Sequence, residues 1–216
     1  EDLVTKDLLT HLEATWRLAP EREKRALMGV SMGGYGALKI AFKNPMLFGT
    51  VAAHSSAILP DDPKRLMEEF PWLKDRGGRL LASVFGEPLD EEKYHAENVL
   101  GLAAGLDADK LEALKIYFDC GDQDRYGFHR TNQQLHELLD GKKLRHSWRL
   151  VEGGGQFAVL LQGRGHTEHG QRHAALLELA QDAPDTGARA VLVDAFHAHV
   201  AFGVGRGVEH FGQELL

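Results

Sequence analysis

A glycine-flanked serine between an apolar run and a helix-forming run constrains this chain most. Residues 29–33 read Gly-Val-Ser-Met-Gly; the run before them is typical of a buried strand, and the small and apolar residues after them predict a helix that ends near Pro45. A strand, a sharp turn and a helix are the context in which a G-x-S-x-G serine acts as a nucleophile, because the glycines leave room for a strained turn. The pattern therefore predicts that Ser31 is an exposed nucleophile and that the Met32 N–H donates to an oxyanion.

Two other interpretations of this turn are a close-packed Gly-rich connection and a phosphate-binding loop. A P-loop needs a Gly-Lys-Ser/Thr ending, and a dinucleotide site needs G-x-G-x-x-G. Neither pattern occurs around Ser31. The nucleophile is the interpretation that the surrounding residues favour.

The segments GVSMGGYGALKIAFKNPMLFGTVAAHSSAI (29–58) and DCGDQD (119–124) resemble the esterase D-like family of α/β-hydrolases, also called Putative esterase. That family includes S-formylglutathione hydrolases, feruloyl and acetyl-xylan esterases and mycolyltransferases. The resemblance runs from about Asp2 to about Gly154. It implies an α/β fold, with a mostly parallel sheet and helices on both faces, and a serine esterase that needs no cofactor.

The order of apolar patterns predicts the same alternation of helices and strands. We expect a partial α/β-hydrolase domain over 1–155, in which a Pro-rich segment, 56–113, forms a helical insert over the active-site edge or, alternatively, a solvated helical decoration. Residues 156–216 form an atypical tail. The predicted helices are 3–18, one that begins at Ser31 and stops near Pro45, and 128–139, which Gly141 closes at its C′ position. The predicted strands are 26–30, 48–55, 114–120 and 145–151.

The acid of a catalytic triad is expected in the loop after a strand that follows the nucleophile. Asp122 and Asp124 both satisfy this requirement by position, and either could instead serve the turn itself. The family resemblance implies Asp124 as the acid, which would orient a histidine and stabilise its charged form.

The histidine expected after the last strand is absent from its usual place. The resemblance implies a GGH-x-W sequence, whereas this chain has GGGQF, with Gln156 where the base belongs. Glutamine cannot act as a general base at neutral pH. The first histidine downstream is His166, which we predict to be the base if the chain is active as written.

The composition changes near the same point. All eleven lysines and all four tyrosines precede residue 144, and no Ser, Ile or Asn follows Ser147. We therefore hypothesise that the chain after about Gly155 is a replaced tail or is read out of frame relative to its relatives. Within it, His197 and His199 form an H-x-H pair without an identifiable third ligand, so no metal site is predicted.

Charge and composition exclude several classes of function. The net charge of −7 and the lack of a basic stripe exclude a nucleic-acid partner. No apolar run is long enough for a membrane span. Cys120 is the single cysteine, which excludes an internal disulfide. The loop that supplies the second oxyanion donor lies upstream of the nucleophile in this fold. We expect this loop to lie outside the present sequence, so that the fold is incomplete at the N-terminus. The sequence predicts no compartment.

Three functions compete on these grounds. The first is hydrolysis of a small-molecule carboxylic ester or thioester through an acyl-enzyme formed on Ser31. The second is acyl transfer from the same serine to an alcohol. The third is an inactive hydrolase fragment without a competent base and without the oxyanion loop.

Overall fold

The computed structural model describes residues 1–16, 21–74 and 77–156, together with the backbone of 191–194, 199–204 and 207–211. Four parallel strands form one sheet in the order β1-β2-β3-β4. The strands are β1 Ala26–Val30, β2 Thr50–His54, β3 Lys115–Gly121 and β4 His146–Val151. The α-helices are α1 Leu9–Trp16, α2 Met32–Lys43, α3 Leu66–Glu69, α4 Gly77–Phe85, α5 Glu91–Glu97, α6 Val99–Gly105, α7 Ala108–Glu112 and α8 Phe128–Gly141. The α/β architecture expected from the sequence is confirmed.

One face of the sheet carries the main hydrophobic core. Alternate strand residues point to it, including Val51 and Phe118, and they pack against Phe42 of α2 and Leu135 of α8. Helix α6 lies against both α2 and α8. This arrangement follows from the right-handed crossover between neighbouring parallel strands, which places successive connections on the same side of a sheet.

The long connection between β2 and β3 is held to the chain that leaves β2. The Tyr94 hydroxyl donates to the Pro60 carbonyl at 2.6 Å, and the Asn98 amide donates to the carbonyls of Leu59 and Pro60. The Asn98 side chain also caps α6 by accepting from Leu100 N–H at 2.8 Å. These bonds fix the course of the connection near the C-terminal end of the sheet.

The end of α8 differs from the prediction. Gly141 is the last helical residue and not the C′ residue; the left-handed position is Lys143, with φ 58°. Two Schellman bonds, from Leu144 N–H to Leu139 O and from Lys143 N–H to Asp140 O, close the helix. Leu144 is buried in the core, and this burial places Lys143 at the left-handed position. The burial thus outweighs the preference for glycine there.

The first and last segments add detail that the sequence did not predict. The N-terminal helix begins with a π-helical stretch, Leu3–Leu8, which continues into α1, and residues 17–20 lie outside the described part. In the tail, β5 Val191–Asp194, β6 His199–Val204 and β7 Gly207–Phe211 form a second, antiparallel sheet. The β5 backbone lies close to β1. Among the described residues, no helix has the length and apolar character needed to cross a membrane.

Candidate active site

Ser31 lies on the sharp turn between β1 and α2, as the sequence predicts. Its backbone has φ 56° and ψ −118°, a region that L-residues rarely adopt and that costs about 1–3 kcal/mol. Ser31 N–H donates to His54 O at 2.9 Å, and Ser31 O accepts from Ala57 N–H at 2.9 Å. A Cβ atom at Gly29 would lie 2.1 Å from Gly33 O, so the close approach of strand and helix requires glycine at position 29.

Met32 is the first residue of α2, and its side chain is half exposed. The first N–H groups of a helix have no intrahelical acceptor and lie at the positive end of its dipole. The Met32 N–H is therefore suited to bind an oxyanion that forms beside Ser31.

The Ser31 hydroxyl is hydrogen-bonded to Gln156. The Gln156 side-chain N–H donates to Ser31 Oγ, with 2.9 Å between Nε2 and Oγ. Gln156 is half buried and follows the end of β4 by five residues. The sequence showed that a histidine is missing at this position but not that the glutamine contacts the serine. His166, the base predicted from the sequence, lies outside the described residues.

Asp124 is a buried carboxylate in the loop after β3. Its Oδ1 accepts from Tyr126 N–H at 2.7 Å, and its Oδ2 accepts from the Cys120 thiol at 3.6 Å. Burial raises the pKa of Asp124 above its ordinary value, although the Tyr126 N–H bond and the charges of His129 and Arg125 act in the opposite direction. The alternative acid, Asp122, is half buried, and its Oδ1 has no partner within the described part of the chain.

The loop that carries the acid and the loop that carries Gln156 are bonded to each other. Gln123 N–H donates to Gly154 O at 2.8 Å, and Asp122 N–H donates to Val151 O at 3.1 Å. A Cβ atom at Gly121 would lie 2.0 Å from Gly154 O, so only glycine allows this contact. The loops after β1, β3 and β4 thus meet at the C-terminal edge of the sheet, where ligands bind in open α/β folds.

A buried His–Asp pair lies beneath the turn. His54 and Asp119 are register partners on β2 and β3, and His54 Nδ1 lies 2.6 Å from Asp119 Oδ2. The other polar atoms of the pair, His54 Nε2 and Asp119 Oδ1, have no partner among the described residues. The pairing could not be predicted from the sequence, because it depends on the register between two strands that are 60 residues apart in the chain.

A second pair of histidines lies outside this edge. His136 of α8 and His146 of β4 have ring nitrogens 2.7 Å apart, and the His136 ring stacks on Trp148. Within the described part of the chain, no group of three or more His, Cys, Asp or Glu side chains is arranged to hold a metal ion. Two imidazoles alone do not complete a zinc site.

Comparison with known proteins identifies one family and several similar proteins. Residues 1–169 match the family described as Putative esterase, somewhat farther than the resemblance seen in the sequence itself. The chain is 35% identical over 102 residues to an esterase of Mycobacterium tuberculosis, covering 42% of this chain and 20% of that protein. It is 26% identical over 160 residues to an acetyl esterase of Caldicellulosiruptor saccharolyticus, covering 71% of this chain and 56% of that protein. The chain therefore spans between a fifth and about half of the length of these curated relatives.

Among solved structures, an S-formylglutathione hydrolase from Agrobacterium tumefaciens matches with a TM-score of 0.59 and 18% identity. The match covers 82% of this chain and 55% of that chain. At this level of identity the likeness shows a shared fold.

Proposed function

The chain belongs to the Putative esterase family, and on that premise we propose that it hydrolyses carboxylic esters through an acyl-enzyme formed on Ser31. The observation that carries the proposal is the strained backbone of Ser31, with φ 56°, at the junction of a buried strand and a helix. A strained conformation of this kind persists where the surrounding structure enforces it, and it is concentrated at functional sites.

We assign the roles of the residues from their positions and from the family resemblance. Ser31 Oγ attacks the ester carbonyl, and the Met32 N–H stabilises the oxyanion that develops. Asp124 is the acid that the family resemblance implies, and it would orient the general base and stabilise its protonated form. If the chain is active as written, the base proposed from the sequence is His166.

The substrate is a small-molecule ester or thioester with a short acyl group. Two similar proteins support this choice, because their names refer to acetyl and S-formyl compounds. A short acyl chain requires little space beyond the serine, the helix N-terminus and the exposed Met32 side chain.

Hydrolysis of p-nitrophenyl acetate by the chain and by Ser31→Ala tests the proposal. We expect Ser31-dependent turnover, and we expect Ser31→Ala to lose it while keeping the circular dichroism spectrum of the parent. Turnover that persists in folded Ser31→Ala would exclude Ser31 as the nucleophile.

A further inference from the structure

The Gln156 side chain contacts Ser31, the proposed nucleophile. A general base is expected at this position, and an amide cannot act as one. We propose that Gln156 occupies the place of the general base and holds Ser31 in a weakly nucleophilic state, so that an imidazole at this position converts the site into an efficient esterase. The proposal rests on the proposed function, because it assigns the residue that limits the reactivity of Ser31.

The distance supports this assignment. An activating base lies within roughly 2.6–3.2 Å of the nucleophile, and Gln156 Nε2 lies 2.9 Å from Ser31 Oγ. The amide is neutral and donates its N–H to Oγ, so it cannot take the hydroxyl proton. The position of the Gln156 side chain therefore suits a general base, but its amide group cannot accept the proton.

Backbone hydrogen bonds tie the loop that carries Gln156 to the loop that carries the predicted acid. The bond from Gln123 N–H to Gly154 O joins the residue before Asp124 to the residue two positions before Gln156. The turn from Val151 to Gly154, closed by Gly154 N–H donating to Val151 O at 3.1 Å, fixes how the loop leaves β4. An imidazole on this backbone would lie between the loop of Ser31 and the loop of Asp124.

The proton balance shows what the imidazole would add. As Ser31 Oγ bonds to the ester carbonyl carbon, its proton passes to the imidazole; as the ester C–O bond breaks, the imidazolium gives that proton to the departing alcohol. Water then repeats the two transfers and releases the carboxylic acid. With Gln156 in place, the hydroxyl proton must pass to solvent or to a more distant group.

The main test compares Gln156→His with the parent in p-nitrophenyl acetate hydrolysis. We expect kcat/KM to rise by about 10²–10⁴-fold, because this is the usual contribution of a positioned general base. The gain should grow as pH rises through about 6.5, the ordinary pKa of histidine. Gln134→His, on α8 and outside the site, is the matched control and should give no gain.

Further variants show whether the gain uses the proposed site. Adding Asp124→Asn to Gln156→His should remove most of the gain, whereas adding Asp122→Asn should not. A folded Gln156→His variant without a gain would overturn the proposal, and so would an equal gain in Gln134→His.

A second measurement does not depend on how the new side chain packs. Gln156→Ala leaves space beside Ser31, so added imidazole should raise the Ser31-dependent rate, taken as the excess over the same imidazole concentration with the Ser31→Ala and Gln156→Ala double variant. No excess over that double variant would overturn the proposal. Failure of the proposed function is separate, because it would appear as activity that survives Ser31→Ala. The parent could also prove to be a fast enzyme whose activity is unchanged by Gln156→Ala and lost in His166→Ala. That result would overturn the proposed role of Gln156 and leave the proposed function intact.

Discussion

The Nδ1 atom of His54 lies 2.6 Å from the Oδ2 atom of Asp119, and both side chains are 1% exposed. The pair links β2 to β3, and His54 is also the register partner of Val30 on β1, the residue before Ser31. The backbone oxygen of His54 accepts the Ser31 N–H, and that of Asp119 accepts the Ser55 N–H at 2.8 Å. Ser31 and Ser55, which donate these two hydrogen bonds, both have positive φ. The His54–Asp119 pair therefore stabilises the two strained turns at the edge of the site.

We predict that Asp119→Ala lowers the free energy of unfolding by about 3 kcal/mol, because it leaves the buried His54 ring without its partner. The exposed pair of His95 and Asp61, 3.4 Å apart with side chains 48% and 51% exposed, is the matched control. Asp61→Ala should cost less than about 1 kcal/mol, as is usual for surface ion pairs. Urea denaturation measures both variants, and equal losses would contradict the bracing role of the buried pair.

Ser31→Gly should stabilise the chain although it removes the proposed nucleophile. Glycine adopts the φ of Ser31 without the strain that costs a side-chain-bearing residue about 1–3 kcal/mol, and the greater entropy of glycine in the unfolded chain offsets part of this gain. We expect a net rise of about 1 kcal/mol relative to Ser31→Ala, which keeps the strain. Thermal unfolding of the two variants tests this, and a less stable Ser31→Gly would show that the turn is not strained.

The two glycines Gly29 and Gly36 should respond differently to alanine. A Cβ atom at Gly29 would meet the Gly33 backbone at 2.1 Å, whereas nothing lies within 4 Å of a Cβ atom at Gly36. Gly29→Ala should therefore prevent the turn from closing and reduce the yield of folded protein. Gly36→Ala, inside α2, should stabilise the chain by about 0.5–1 kcal/mol through helix propensity. Comparable unfolding curves for both variants would contradict the close approach at Gly29.

Asp124→Asn should change how stability depends on pH. Burial raises the pKa of Asp124 in the folded chain above its ordinary 3.8, so the folded state retains a proton that the unfolded state has lost. The stability of the parent therefore falls as pH rises through this window. The Asn side chain keeps an acceptor for Tyr126 N–H and carries no charge. The stability of Asp124→Asn relative to the parent should rise with pH from below 3.8 and then level off; a fall would contradict the raised pKa.

Features set by neighbouring residues could be predicted from the sequence. The strand, turn and helix around Ser31 depend on glycines and an apolar run that lie next to one another in the chain. The end of α8 could not be predicted from the glycine pattern, because the distant core that buries Leu144 selects Lys143 for the left-handed position.

Contacts across the sheet edge required the structure. The bond between Gln156 and Ser31 joins residues that are 125 positions apart, and the pairing of His54 with Asp119 depends on the strand register. The sequence indicated which residue type was missing at position 156. It could not show that the glutamine side chain reaches Ser31.

Reaction of the folded chain with a fluorophosphonate, followed by mass spectrometric mapping of the modified peptide, tests the role of Ser31 most directly. We predict a single covalent adduct on Ser31, formed slowly by the parent and faster by Gln156→His, and none on this peptide in Ser31→Ala. Labelling at another serine, or no labelling of a protein shown to be folded, would contradict the assignment of Ser31 as the nucleophile.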